Sequence, residues 1–276
     1  MIVGLIGAGN MGGALARGWA SADTGPDKLL IADAVEQQAR ALADDVDGKR
    51  AKSSVELAQD ADVIVLAMKP AGLLQVASEI RVTVSERRLP IVSILGGTGI
   101  ARIEEAFGPG APIVRFMPNI AAEVRAGTFC YTSNEALDER TERALLDLFG
   151  LLGVLVSVDE RLMDAATAIS GCGPAFYAMV VEALVDAGVK EGLTARQASE
   201  LAITTMAGTA ALLERHEGDT VSLRRKVTSP GGTTAAGVAA LEHHHLRVAF
   251  MAAVEAVVHR ADELHPPAAG DKGRST

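Results

Sequence analysis

The segment TSPGGTTAAGVAALE, residues 228–242, places a proline, two glycines and four hydroxyl side chains directly ahead of an alanine-rich helical pattern. The first N–H groups of a helix have no partner inside the helix, and they carry partial positive charge. Gly231 and Gly232 allow the backbone to curl so that several of these groups converge on one anion. The neighbouring hydroxyl groups belong to Ser229, Thr233 and Thr234. The pattern predicts a site for a small anion, and an ordinary capped loop is the alternative.

A second segment, GLIGAGNMGGALARG at residues 4–18, contains glycines in the pattern G-x-G-x-x-G. It follows a strand-like run and opens a helical pattern, which is the context that dinucleotide binding requires. There Gly7 makes the tight turn, Gly9 admits the pyrophosphate, and Gly12 lets helix and strand pack closely. The contacts predicted at this cofactor site are Gly7, Gly9, Asn10, Met11 and Gly12. The sequence therefore predicts nucleotide binding rather than a purely structural glycine turn.

Asp33 ends the second strand-like run, in LLIADAVEQQ, beside the expected position of the adenosine ribose. Its carboxylate can accept hydrogen bonds from the ribose hydroxyls and would repel a 2′-phosphate. The next five residues contain no arginine, lysine or serine that would bind such a phosphate. The sequence therefore favours NADH over NADPH as cofactor. Capping of the following helix is another use for Asp33, and both uses are compatible.

The composition restricts the class of protein. The chain has 276 residues, 49% of them apolar, and a net charge of −9, which disfavours nucleic acid and anionic membranes as partners. Inspection of the sequence finds no apolar run that we expect to span a bilayer, and the start MIVGLIGAGN has no basic leader. Cys130 and Cys172 provide neither a disulfide framework nor metal spacing. We expect a soluble protein of the cytoplasm.

The first part of the chain alternates apolar β-branched runs with helical patterns, which is typical of repeated βαβ units. The predicted strands cover residues 2–6, 28–32, 62–67, 90–95, 111–116, 127–132 and 153–158. The predicted helices between them cover residues 11–22, 34–44, 71–80, 99–107 and 135–149. From about residue 160 only helical patterns follow, one of them beginning at a capping box formed by Thr194 and Gln197. The predicted fold is α/β: a Rossmann-like dinucleotide-binding domain, residues 1–158, followed by an all-helical domain, residues 159–276.

The C-terminal helical patterns are apolar around much of their circumference, as in YAMVVEALVDA. Such helices need burial on most sides. The sequence therefore predicts an obligate homodimer, and the alternative is a monomer whose helices pack only on its own first domain.

Five segments occur in an order and at separations that resemble pyrroline-5-carboxylate reductase. They are IGAGNMGGALARG, AMKP (67–70), RFMPN (115–119), AISGCGPAFYAMVVEALVDAGV (168–189) and TSPGGTTAAGVAALE (228–242). The resemblance extends from residue 1 to about residue 265. It implies reduction of the cyclic imine 1-pyrroline-5-carboxylate to L-proline with NADH or NADPH, the last step of proline synthesis. It also implies an interlocked homodimer, in some members assembled into a decamer, with the active site between the nucleotide domain and the helices of the dimer.

The resemblance also assigns roles to residues. It implies that the N–H groups of residues 231–234 bind the substrate carboxylate, that Ser229 adds a hydroxyl contact, and that the Thr234 hydroxyl meets the ring nitrogen. It further implies that the backbone of Met68 and Lys69 and the side chain of Asn119 contact the ribose and nicotinamide. Without the resemblance, a surface lysine and a turn residue are the simpler interpretations of Lys69 and Asn119. The proton reaches the ring nitrogen either from solution, as a preformed iminium, or through Thr234 and water.

Several residues depart from the family pattern and remove polar groups near the expected site. They are Ile120, Ala121, Cys172, Phe176 and Arg225. A reductase of a related cyclic imino acid is therefore the second interpretation. A hydroxyacid dehydrogenase is disfavoured because Lys190 is the only lysine in residues 160–190, and a non-catalytic nucleotide sensor is disfavoured because the glycine turn is intact. Residues 243–245 are consecutive histidines whose side chains point apart, so we expect no metal site there.

Overall fold

The computed structural model describes residues 1–264, and eight strands form one sheet in the order β3-β2-β1-β4-β5-β6-β7-β8. The strands are β1 (Ile2–Ile6), β2 (Lys28–Ala32), β3 (Lys49–Arg50), β4 (Val63–Leu66), β5 (Ile91–Ser93), β6 (Ile113–Met117), β7 (Gly127–Ser133) and β8 (Gly153–Ser157). The helices that accompany them are α1 (Asn10–Ala20), α2 (Glu36–Asp45), α3 (Ser54–Asp60), α4 (Leu73–Arg87), α5 (Ile100–Phe107) and α6 (Glu139–Gly150).

Neighbouring strands of this sheet run parallel, except that β6 and β7 run antiparallel. The connection between them, residues 118–126, is too short for the crossover that a parallel pair needs. The strand order reverses between β1 and β4, so the loops after these two strands meet at one edge of the sheet, where ligands of such folds bind. The predicted fold class, a Rossmann-like domain followed by a helical one, is confirmed.

Apolar side chains cover both faces of the sheet. One layer of the core combines strand residues with α1, α2 and α6, and the other combines strand residues with α3, α4 and α5. The first layer contains Trp19, whose indole N–H donates to the Leu148 carbonyl at 3.0 Å. In the same layer the rings of Phe116 and Phe149 stack with their centroids 4.2 Å apart. These contacts fix α1, the helix that follows the glycine loop, against β6 and α6.

One strand and one α-helix in residues 1–158 escaped prediction. Strand β3 consists of Lys49 and Arg50 alone, and helix α3 is only seven residues long. Neither carries the apolar periodicity from which strands and helices are inferred. Pairing with β2 and the cap that the Ser53 side chain provides to the Glu56 N–H stabilise them instead.

The remaining elements of the described chain are helical. They are a 3₁₀ turn (Glu160–Leu162), α7 (Met163–Ser170), α8 (Gly173–Lys190), α9 (Ala195–Arg215), α10 (Thr220–Val227), α11 (Thr233–His243) and α12 (Leu246–Leu264). The predicted capping box of Thr194 and Gln197 is confirmed at the start of α9. By its contacts the described chain divides into one unit of residues 1–174 with residues 257–264, and another of Ala175–Ala256. The domain boundary at residue 158 stays a prediction.

Residues Glu160–Lys190 form an apolar segment. By length and composition it is apolar enough to cross a membrane, and it is the one such segment among residues 1–264. The expectation that no apolar run is long enough for this does not hold for the segment as a whole, although in the structure it is divided into α7 and α8. Only 11% of its most apolar window is buried within the single chain, so most of this surface is uncovered.

Candidate functional site

The turn after β1 has the geometry that its first glycine requires. The Gly7 N–H donates to the Ala32 carbonyl at 2.8 Å, and Gly7 adopts a φ of +113°, which side-chain-bearing residues rarely adopt. A Cβ at Gly7 would lie 2.5 Å from the backbone nitrogen of Met68. The ends of β1, β2 and β4 therefore meet at this glycine, and nothing larger fits there.

The other two glycines of the motif have different surroundings. A Cβ at Gly12 would overlap the Gly7 carbonyl oxygen, whereas a Cβ at Gly9 would meet nothing within 4 Å. Gly9 is the N-cap of α1, and no side chain caps the helix start. Open space in front of the unpaired N–H groups of Asn10 and Met11 leaves room for a phosphate. These residues fit a dinucleotide.

Both carboxylate oxygens of Asp33 accept backbone N–H groups, one from this loop and one from the start of α2. Oδ2 accepts the Ala8 N–H at 2.7 Å, and Oδ1 accepts the Val35 N–H at 2.8 Å. Asp33 thus holds the glycine loop against the start of α2. Each oxygen retains a lone pair that can accept a ribose hydroxyl, so the positioning role and the predicted cofactor contact are compatible.

A cation near Asp33 was missed from the sequence. Strand β3 pairs with β2 so that Arg50 lies opposite Ile31, close to the end of β2. The Arg50 guanidinium lies 3.0 Å from the carboxylate of Glu36 in the first turn of α2. The five residues after Asp33 contain no cation, whereas strand pairing brings Arg50 from further along the chain.

The other predicted cofactor contacts lie at the same edge of the sheet. Met68 is half-buried after β4, and Lys69 is exposed at the start of a 3₁₀ turn, Pro70–Gly72. Asn119, after β6, is 8% exposed; its Nδ2 donates to the Ser170 carbonyl at 3.2 Å, and its Oδ1 accepts the Thr128 N–H at 3.3 Å. The Asn119 side chain thus ties β7 to α7, and its contact with a cofactor stays a prediction.

The turn ahead of α11, which was predicted to bind the substrate, is built by proline and glycine. The Gly232 N–H donates to the Ser229 carbonyl at 3.0 Å, with Pro230 and Gly231 between them. Gly231 has a φ of +72°, and proline followed by a glycine of positive φ is the pattern of a type II turn. A Cβ at Gly232 would overlap the Ser229 hydroxyl oxygen, so a side chain at this position would displace that hydroxyl.

The start of α11 leaves N–H groups available. Gly232 is the N-cap, no side chain caps the helix, and the first intrahelical bond runs from the Ala236 N–H to the Gly232 carbonyl at 3.2 Å. The Thr233 and Thr234 N–H groups precede that bond and are free for an anion. The Gly232 N–H, also predicted to bind the substrate, already serves the turn. The Thr228 hydroxyl oxygen is buried without a partner among residues 1–264.

Helix α5 shows what a carboxylate does at such a helix start. It too has a glycine N-cap, Gly99, without a side-chain cap of its own. There the Glu160 Oε1 accepts the Ile100 N–H at 3.2 Å and also receives Arg115 Nη1 at 2.7 Å. A glycine-capped helix start in this chain thus accommodates a carboxylate from elsewhere in the fold.

Helix α10 leads into this predicted substrate turn and is capped by Asp219. Its carboxylate accepts the Ser222 N–H at 2.9 Å; this bond first, and the Ser222 hydroxyl next, lower the pKa of Asp219 from its ordinary value of 3.8, and Arg225 acts in the same direction. Because the pKa is lower in the folded state, the cap is fully effective above the ordinary range and is lost only as the pH falls through the lowered pKa. Near neutral pH the helix start is therefore capped.

The residues that depart from the family pattern are spread over several elements. Ile120 is 44% exposed after Asn119, Cys172 is a half-buried free thiol between α7 and α8, and Arg225 is exposed on α10. His243 ends α11, and its ring lies against that of His244. Among the described residues, no group of three histidine, cysteine or acidic side chains is placed to hold a metal ion.

Two family models match this chain. Residues 160–264 match the model described as pyrroline-5-carboxylate reductase dimerisation. Residues 2–97 match the model described as NADP oxidoreductase, coenzyme F420-dependent. The match thus divides between the helical part and the part that contains the glycine loop.

Individual proteins are similar to the chain over nearly its whole length. It is 35% identical over 283 residues to the pyrroline-5-carboxylate reductase of Mycobacterium leprae, covering 95% of this chain and 96% of that protein. A solved pyrroline-5-carboxylate reductase of Coxiella burnetii aligns with a TM-score of 0.89 and 31% identity, covering 96% and 98% of the two chains. The Plasmodium falciparum pyrroline carboxylate reductase with NADP bound aligns with a TM-score of 0.82 and 32% identity, covering 96% and 99%.

Proposed function

The chain belongs to the pyrroline-5-carboxylate reductase family, and on this premise we propose how its residues reduce 1-pyrroline-5-carboxylate to L-proline. The protein is an NAD(P)H-dependent oxidoreductase that acts on the C=N bond of this cyclic imine. This reduction is the last step of proline synthesis. The observation that carries the assignment of residues is the uncapped, glycine-bounded start of α11 behind a type II turn. The function is tested by supplying the imine with reduced nicotinamide and identifying L-proline as the product.

The substrate carboxylate binds at the start of α11. The Thr233 and Thr234 N–H groups are free for it, and the Ser229 hydroxyl adds a contact from the turn. The backbone of Gly231 and Gly232 completes this site. The Gly232 N–H, which already donates to the Ser229 carbonyl, is shared between that carbonyl and the substrate carboxylate. Charge-assisted bonds to a helix start orient a small anion, and this orientation supplies much of the rate enhancement.

The Thr234 hydroxyl holds the ring nitrogen. Thr234 is the second residue of α11, so its side chain and its N–H belong to the same turn of helix. Reduced nicotinamide, when bound, supplies the hydride that C5 accepts. A hydroxyl at the nitrogen stabilises the protonated imine and keeps the C=N bond in one orientation while the electron pair moves to nitrogen. No covalent intermediate with a protein residue is needed.

The cofactor binds along the loop of Gly7, Gly9 and Gly12. Asn10 and Met11 present the N–H groups of the α1 start to the pyrophosphate. Met68, Lys69 and Asn119 lie at the ends of β4 and β6, where the ribose and nicotinamide are proposed to bind. Asp33 accepts the hydroxyls of the adenosine ribose, and its charge favours NADH over NADPH.

Replacing Asp33 by asparagine is expected to lower the preference for NADH. The amide keeps the shape and one acceptor oxygen but removes the charge that repels a 2′-phosphate. We expect the ratio of kcat/KM for NADH to that for NADPH to fall roughly 5- to 10-fold, equivalent to about 1 kcal/mol. Asp62→Asn is the matched control, since Asp62 accepts the Ile2 N–H at 2.7 Å at the opposite end of β1. An unchanged ratio in Asp33→Asn would contradict the role of this charge.

The protein carries a dimerisation domain, and we propose a homodimer in which it covers the apolar segment Glu160–Lys190. Large apolar side chains of α8 are uncovered in the single chain, among them Met179 at 68% exposure and Leu184 at 54%. Burial of these side chains against a second copy also explains why the segment is apolar, without placing it in a membrane. We propose that such dimers assemble further into a decamer.

Introducing a charge at Met179 is expected to break the dimer. An unpaired carboxylate in an apolar interface costs about 3 kcal/mol or more, so Met179→Glu is expected to raise the dimer dissociation constant about 100-fold. Light scattering across a dilution series measures it, with Val82→Glu as the control because Val82 is 61% exposed on α4, outside the dimerisation model. A Met179→Glu protein that stays dimeric at every concentration would place the interface elsewhere.

A cytoplasmic location is proposed because both cysteines are free thiols. A cell fractionation that finds the protein outside the cytoplasm would contradict this location.

A further inference from the structure

The charges beside the adenosine-ribose position include a cation that the short strand β3 delivers. Arg50 ends β3 opposite Ile31, and the next residue bonds back to β2 through the Ala51 N–H and the Ile31 carbonyl at 2.8 Å. The register thus holds Arg50 beside the end of β2, where Asp33 follows. Since Asp33 marks the ribose in the proposed function, this inference rests on that cofactor site.

The Arg50 guanidinium is already engaged. Its Nη1 lies 3.0 Å from the Glu36 Oε1, and Glu36 is in the first turn of α2. The Arg50 side chain is 32% exposed and the Glu36 side chain is 72% exposed, so the pair lies at the surface. An arginine fork at this place has the geometry that phosphate recognition uses, and a carboxylate from α2 occupies it.

The charged side chains around the 2′-phosphate position explain how the Glu36–Arg50 ion pair affects the choice of cofactor. A 2′-phosphate at this position would approach two carboxylates, Asp33 and Glu36, and the guanidinium of Arg50. With Glu36 bound to Arg50, the phosphate meets the charge of Asp33 without a free guanidinium to offset it. With Glu36 neutral, the fork of Arg50 is available.

We propose that the Glu36–Arg50 ion pair sets the cofactor preference of this enzyme, because Glu36 withholds from a 2′-phosphate the arginine that would otherwise bind it. Arg50 thus binds the 2′-phosphate of NADPH once Glu36 no longer holds its guanidinium. The pair discriminates between two forms of the same cofactor and takes no part in hydride transfer.

The size of the effect follows from the exposure of the pair. Ion pairs at protein surfaces are weak, so a phosphate of higher charge competes for Arg50 even in the unaltered protein. The pair therefore biases the choice of cofactor without imposing an absolute one. Neutralising Glu36 is expected to improve the relative binding of the phosphorylated ligand about 3- to 10-fold.

The test measures binding without turnover. Titration calorimetry of the full-length protein compares ADP-ribose with 2′-phospho-ADP-ribose, two probes that differ only in the phosphate and lack nicotinamide. In Glu36→Gln the affinity for 2′-phospho-ADP-ribose relative to ADP-ribose is expected to rise about 3- to 10-fold, and raising the salt concentration is expected to shrink this gain. A ratio within twofold of the unaltered protein would overturn the proposal.

A double variant separates the arginine from simple repulsion by Glu36. In Glu36→Gln/Arg50→Met the gain is expected to vanish, because the receptor for the phosphate is gone. A gain that persists in the double variant would overturn the proposal, since Glu36 would then act through its own charge. Glu105→Gln is the charge-matched control, because Glu105 pairs with Arg102 at 2.6 Å on α5 and is likewise exposed.

The same titrations separate this inference from the proposed function. ADP-ribose binding by every variant would show an intact nucleotide site, so an unchanged ratio would then refute the role of the ion pair alone. Failure of the unaltered protein to bind either probe would refute the nucleotide site, and with it the role of the Glu36–Arg50 ion pair.

Discussion

Replacing Thr234 by alanine is expected to lower kcat about 100-fold while leaving nucleotide affinity within twofold of the unaltered enzyme. The Thr234 hydroxyl accepts the N–H of the protonated imine and so orients the C=N bond, and misplacing a bound reactant by about 1 Å can lower kcat about 100-fold. Thr234 lies in the first turn of α11, where its hydroxyl meets the ring nitrogen in the proposed arrangement. Its N–H group survives the substitution, so binding of the substrate carboxylate should change less than kcat. Steady-state kinetics with the imine, together with calorimetry of nucleotide binding, measures both quantities.

Two further variants sharpen that result. Thr234→Ser keeps the hydroxyl and is expected to recover most of the activity. Thr209→Ala is the matched control, because the Thr209 hydroxyl donates to the Thr205 carbonyl within α9 and is exposed. Unchanged turnover in Thr234→Ala would remove Thr234 from the reaction, whereas equal losses in both alanine variants would indicate a structural effect.

Alanine at Gly9 and alanine at Gly12 are expected to fail in different ways. Gly9 has open space around its Cβ position and a φ of −75°, so Gly9→Ala should fold normally. The added methyl group occupies the approach of the pyrophosphate, and losing one or two charge-assisted hydrogen bonds weakens NADH binding about 10- to 100-fold. Gly12→Ala overlaps the Gly7 carbonyl oxygen and is expected to destabilise the fold by about 1–3 kcal/mol or more.

Thermal unfolding and calorimetry distinguish the two glycines. Gly13→Ala is the control, because a Cβ there would meet only the flexible end of Arg17 at 3.0–3.3 Å. That variant should keep both its midpoint of unfolding and its affinity for NADH. A Gly9→Ala protein that binds NADH as tightly as Gly13→Ala does would contradict the assignment of the pyrophosphate to this loop.

The sequence was most informative where a physical requirement leaves a single choice of residue. Gly7 has a positive φ and Gly12 faces a carbonyl oxygen, so their spacing, between a strand-like run and a helical pattern, identified the loop. Strands β1 and β2 were predicted at their observed bounds because continuous apolar runs mark strands buried on both faces. The proline and glycines before α11 likewise specified the turn in advance.

The contacts that the sequence could not reveal join residues far apart along the chain. Arg50 reaches Glu36 only because β3, two charged residues long, pairs with β2. The Asn119 amide donates to Ser170, 51 residues away, and nothing near Asn119 in the sequence indicates that partner. The antiparallel direction of β7 follows from the length of a connection, which becomes decisive only when the strand bounds are known.

The proposed reduction is measured most directly as turnover of 1-pyrroline-5-carboxylate, by following the consumption of reduced nicotinamide and identifying the product. NADH and NADPH are supplied in parallel, with Thr234→Ala as the variant that should be nearly inactive with both. We predict consumption of reduced nicotinamide that equals the L-proline formed, and a faster rate with NADH at equal concentration. A protein that binds the nucleotide yet forms no L-proline with either cofactor would contradict reduction of 1-pyrroline-5-carboxylate and favour a related cyclic imino acid as substrate.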